Sequence, residues 1–104
     1  MKILNQYEEF GQGMGFPSMR EFFQSDKYEN QDKIARYLRT GTPVMVQTSM
    51  ARDVFTGAPL GIEKVFVNDG VYGWSTDLAY YVEKYNLKLP DAFMKHALTQ
   101  ISKQ

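Results

Sequence analysis

Residues 65–86, VFVNDGVYGWSTDLAYYVEKYN, constrain the fold more than any other part of this chain. They read as a strand, a tight turn at Asp69-Gly70, a second strand and a capped helix. A two-residue type I′ turn needs positive φ at both central positions, which Asp tolerates and Gly prefers. That register sets Asn68 against Val71, Val67 against Tyr72, Phe66 against Gly73 and Val65 against Trp74. Side chains alternate along a strand, so Val65, Val67, Tyr72 and Trp74 then share one face. A three-residue loop with a bulge at Gly70 would shift every partner. The same stretch holds the only Trp and four of the seven Tyr.

The flanking sequence supplies the other elements. From Val44 the period is 2, with Val44, Val46, Thr48 and Met50 as the better-buried face and Met45, Gln47 and Ser49 opposite. Ala51-Arg52-Asp53 bulges or breaks this strand, Val54-Phe55 resumes it, residues 56–61 turn, and residues 62–67 form the next strand. Ser75 or Thr76 caps a helix whose stripe is Leu78, Tyr81, Val82 and Tyr85, with Tyr80 and Lys84 toward solvent. Asn86 ends it. Pro90 suits the first position of a last helix, Asp91 its dipole, and Phe93, Met94, Ala97, Leu98 and Ile101 its inward face.

On the N-terminal side, Ile3, Leu4, Tyr7 and Phe10 stand at helical spacing, up to a stop at Gly11. GQGMGFP (11–17) is a hinge or loop; it neither follows a strand nor carries the Lys-Ser/Thr pair of a phosphate loop. Ser18 and Glu21 have capping-box spacing ahead of Met19, Phe22 and Phe23. A helix over 31–39, capped by Asn30, turns Ile34, Tyr37 and Leu38 inward. Gly41 suits the left-handed position after it, and Pro43 prevents continuation. The expected fold is α+β: a three-stranded antiparallel meander packed against N-terminal and C-terminal helices. Residues 1–104 form a single small domain, with 1–17 as a loosely packed N-terminal segment.

Composition narrows the function. The chain has 104 residues, 43% of them hydrophobic, enough for a core in one domain. Lys+Arg and Asp+Glu are both 12, for a net charge of zero. A nucleic-acid binder carries a basic excess or stripe, so nucleic acid is not expected as a partner. There is no Cys, hence no disulfide, thiolate metal site or Cys nucleophile, and this fits a cytoplasmic protein. MKILNQYEEF lacks the apolar run of a signal peptide, and no segment has the length of a membrane span, so no membrane partner is expected.

No catalytic set stands out. His96 is the only histidine and reads as a partly exposed surface residue on the last helix. With no second His, neither metal nor cofactor is expected. Among the carboxylates, Asp69 is explained by its turn, Asp77 by a helix start and Glu63 by an outward strand position. Only Asp53 lacks a structural task, and an Arg52–Asp53 pair would be exposed and worth little. No G-x-S-x-G elbow occurs. A small hydrolase-type enzyme would have to use Asp53 with His96, which must then share a pocket.

Binding is the better-supported class. Trp, Tyr and Arg dominate the energetic centres of interfaces. Arg52, Tyr72, Trp74 and Tyr80 are the candidate partner-binding residues, with Trp74 also a natural core residue. Lys33, Arg36 and Arg39 read as a solvated helix face. A homodimeric structural or regulatory protein is the alternative, with Val44–Met50 as the edge strand that would pair.

DVFTG (53–57), NDG (68–70), YGWSTDLAYYVEKY (72–85) and LPDAF (89–93) together resemble a pattern in small bacterial proteins of largely unassigned role. Some of these are similar to immunity proteins, which neutralise a toxin made by the same cell. Immunity proteins against nucleases are often acidic, whereas this chain is neutral. The resemblance implies a non-enzymatic protein-binding domain and brings no catalytic residues with it.

Overall fold

The computed structural model of the chain describes residues 2–10 and 15–103, with the backbone alone for 45–48. Four strands form one mixed sheet: β1 (Lys2–Ile3), β2 (Thr42–Arg52), β3 (Pro59–Asn68) and β4 (Tyr72–Ser75), in the order β1-β4-β3-β2. Its helices are α1 (Gln31–Leu38), α2 (Leu78–Tyr85) and α3 (Asp91–Ser102), with 3₁₀ turns at Glu8–Phe10 and Met19–Phe22. The α+β class is as expected. The sheet is not the three-stranded meander. β2, β3 and β4 run antiparallel in chain order, but β1 joins β4 in parallel. No helix of the described residues is long and apolar enough to cross a membrane.

The expected N-terminal helix is absent for a backbone reason. The free edge of β4 needs partners, and an extended chain supplies them: the Lys2 and Leu4 amides donate to Val71 and Gly73 at 2.9 and 2.8 Å. Asn5 continues the tie, giving its side-chain amide to Ser75 Oγ at 2.5 Å and accepting from the Ser75 amide at 3.0 Å. Leu4, Asn5 and Tyr7 are consequently buried, so this part of the N-terminal segment is packed rather than loose. Gly11–Met14, which holds most of the glycine-rich loop, lies outside the described residues.

The β3–β4 register differs from that of a two-residue turn. Asn68 pairs with Gly73, Val67 with Trp74 and Phe66 with Ser75. Asp69 Oδ1 accepts from the amides of Val71 and Tyr72, and Gly70 takes φ +94°. Four residues, 69–72, therefore separate the paired Asn68 and Gly73, and each expected partner moves by two. A shift of two preserves parity, so Val67, Tyr72 and Trp74 still face inward and are buried. Val65, half-buried, packs against the same cluster.

Trp74 is fully buried between Tyr37 and Phe93, with centroids at 5.9 and 5.7 Å, and its indole N–H donates to the Leu38 carbonyl at 2.7 Å. A buried indole needs that acceptor. Gly41 follows from the same packing. It is not among the residues of positive φ, contrary to the helix-end expectation. A Cβ there would lie 2.6 Å from Val67 Cγ2 and 3.1 Å from Trp74 Cζ2, so no side chain fits.

Other local expectations change in detail. The Ser18–Glu21 capping box is present, on a 3₁₀ turn. Asn30 sits at φ 65° without a side-chain cap bond, and Gln31 instead accepts from the Tyr28 amide at 2.9 Å. Neither Ser75 nor Thr76 caps α2: Asp77 holds that position, and Ser75 Oγ donates to its carboxylate. Pro90 stands just before α3 rather than within it. The Val44/Met50 face of β2 was expected inward, yet these residues are 52% and 54% exposed. β2 is an edge strand bulged against β3, so no layer covers them.

Gly41→Ala is expected to cost about 1–3 kcal/mol by overpacking. In a Val67→Ala background the added penalty should shrink, because the methyl it meets is gone. Urea unfolding of the four chains of that cycle measures the coupling, and strictly additive losses would contradict the close approach.

Candidate functional site

The connection from β2 to β3 is the six-residue turn 53–58, DVFTGA. Asp53 directs it. Its side chain is buried at 1% exposure and accepts from the amides of Phe55 and Thr56 at 2.7 and 3.1 Å. The phenols of Tyr80 and Tyr85 reach Oδ2 from α2, both at 2.6 Å. Its backbone amide donates to Ala58 at 2.9 Å, and its carbonyl accepts from Gly57 at 2.7 Å, where φ is +77°. Tyr81 adds a further tie: its hydroxyl accepts from the Val54 amide at 3.0 Å and donates to the Arg52 carbonyl at 3.2 Å.

Burial alone would raise the Asp53 carboxyl pKa, but the two phenols and two amides outweigh it and hold the group below the usual carboxylate range. The same carboxylate pushes the Tyr85 and Tyr80 phenols up, since a phenolate beside it would be repelled. Asp53, which had no structural task in the sequence reading, thus anchors the β2–β3 turn through two amides and two phenols. The Asp-x-Phe-Thr-Gly pattern was the available signal, an Asx turn closed by a glycine. Nothing in the spacing could have announced Tyr80 and Tyr85.

What this network positions is surface. Arg52 is exposed and donates to the Gly57 carbonyl at 3.0 Å rather than pairing with Asp53. Val54 is 41% exposed. Phe55, half-buried, packs against Phe23, Tyr81 and Tyr85, and the Arg20 guanidinium lies over its ring at 4.7 Å. Beside the turn is an open concavity of about 610 Å³ lined by Glu8, Glu9, Ser18, Arg20, Val54 and Phe55.

Of the four candidate contact residues, Arg52 lies on this surface and Tyr80 is half-buried with its hydroxyl on Asp53. Trp74 and Tyr72 are buried, at 0% and 8%, and cannot touch a partner while the domain is folded. Their place is corrected to the core.

His96 is partly exposed, as expected, but it is not free. Its side chain is 18% exposed, and Nε2 donates to Asp69 Oδ2 at 2.7 Å. The same carboxylate oxygen accepts from Tyr37 at 2.5 Å. Burial would raise the Asp69 pKa, but Tyr37, the Tyr72 and Val71 amides and His96 together lower it to about 2. Asp53 and His96 are thus committed to separate clusters that share no hydrogen-bond partner, and no described pocket is lined by both. Among the described residues, no group of three or more metal-ligating side chains occurs. No protein-family model, curated protein or solved structure matches the chain.

Asp53→Ala would strand two half-buried phenols and two turn amides, and a loss of about 2–3 kcal/mol is expected. Chemical denaturation measures it, and a loss within error of zero would mean that the turn does not depend on the carboxylate. Asp69 gives a pH test. Its stabilisation is complete above the unfolded carboxyl pKa of about 3.9. It is lost as pH falls through about 2. The stability gap between the parent and Asp69→Asn should therefore narrow steadily from about pH 5 downward.

Proposed function

We propose that this chain is a small, non-enzymatic protein-binding domain, immunity-like in kind, that presents the Asp53 turn to another protein. The observation that carries this reading is the use of a fully buried, four-fold bonded carboxylate to hold an exposed turn. A rigid loop loses little entropy on binding, so its contacts convert to affinity more fully. The turn offers an apolar contact at Val54 and a cation at Arg52, an arrangement typical of recognition rather than of proton transfer. The DVFTG segment of the resemblance to immunity-type proteins is this turn. A cytoplasmic setting agrees with the lack of cysteine.

Val54→Asp and Arg52→Glu each change only exposed side chains, so folding should be kept. Both should release a protein that the parent chain retains stoichiometrically from lysate of its own host. Val71→Asp, an equally exposed change on another loop, should not. A partner held alike by all four chains would place the contact elsewhere.

A further inference from the structure

We propose that the protein recognised by the Asp53 turn presents an acidic side chain to Arg20, beside an apolar residue that packs on Val54. The proposal rests on the reading of this turn as a recognition surface. Arg20 is exposed, and its guanidinium lies over the Phe55 ring at 4.7 Å. That ring is packed in turn against Phe23, Tyr81 and Tyr85. A cation against an aromatic face is restrained without being neutralised. Among the described residues the guanidinium pairs with no carboxylate and donates no hydrogen bond; only the Arg20 backbone amide does, to Ser18 Oγ. Arg52 likewise makes no ion pair among the described residues, and its side chain donates to the neutral Gly57 carbonyl. Two cations without ion pairs therefore touch this turn, on a chain whose net charge is zero.

The class of ligand follows from the donors. The N–H groups of a guanidinium match the two oxygens of a carboxylate, and a guanidinium already restrained loses less freedom on binding one. Val54, 41% exposed, supplies an apolar contact beside it. Arg20 and Val54 line the same concavity of about 610 Å³, which has room for a side chain. The other charged residues of that lining are Glu8 and Glu9. Glu9 is occupied: Oε1 accepts from the Met19 amide at 2.6 Å and Oε2 from the Ser18 hydroxyl. Glu8 is exposed and makes no ion pair among the described residues. Its charge repels a polyanion, so the ligand is a single Asp or Glu on an apolar segment rather than an acidic run.

A random peptide library displayed on phage and panned against the full chain tests this. Peptides whose binding is lost on Val54→Asp should carry an Asp or Glu close to an apolar side chain. For such a peptide, fluorescence anisotropy should show binding weakened about tenfold or more by Arg20→Gln, with circular dichroism unchanged. Replacing the peptide's acidic residue by its amide should weaken binding as much, and the two changes together should add little more. Glu8→Gln should bind as tightly as the parent or tighter. Turn-directed peptides without an acidic residue, or binding indifferent to Arg20→Gln, overturn the inference and leave the recognition reading standing. Binding weakened by Glu8→Gln also overturns it, because a basic ligand would then be the one recognised. A library that yields no peptide sensitive to Val54→Asp overturns both.

Discussion

The burial of Trp74 is the constraint around which the domain is arranged. Its indole N–H ends on the last carbonyl of α1, its ring lies between Tyr37 of α1 and Phe93 of α3, and its backbone pairs with Val67 of β3. One side chain thereby fixes the distance between the sheet and two helices. The requirement reaches into the connection between α1 and β2, where only glycine fits at position 41. Burial of so large an aromatic contributes several kcal/mol only if its donor is satisfied, and here it is.

Two carboxylates, Asp53 fully buried and Asp69 largely so, do for the loops what Trp74 does for the core. Asp69 binds the β3–β4 loop to Tyr37 of α1 and His96 of α3. Asp53 binds the β2–β3 turn to Tyr80 and Tyr85 of α2. In each case a charge withdrawn from water is met by hydrogen-bond donors, a favourable exchange when every lone pair is used. Among the described residues no buried side-chain polar atom lacks a partner. Each of these two loops is thereby tied to a helix as well as to the strands it joins.

Anchored loops on a small scaffold are in keeping with the recognition role proposed above. The Asp53 turn presents Val54 and Arg52 outward, while the aromatic residues behind it are committed to packing. The β2 edge is a second kind of surface, uncharged and with its apolar side chains at the rim.

By itself the sequence determined the elements that depend on neighbours in the chain. The 3.6 period of α1, α2 and α3, the strands flanking Asp69-Gly70, the Ser18–Glu21 box and the end of α2 at Asn86 could all be read from local spacing. The inward face of Val67, Tyr72 and Trp74 survived a misjudged loop because an even shift keeps parity. Tertiary structure decided what involves partners distant in the chain. It made Lys2–Ile3 a strand by offering the edge of β4, and turned Gly41 from a helix stop into a packing necessity. It also exposed Val44 and Met50, moved His96 onto Asp69 and gave Asp53 its two phenols. Periodicity records which side of an element is apolar, but not what lies across from it. That is why the helices were legible and the site was not.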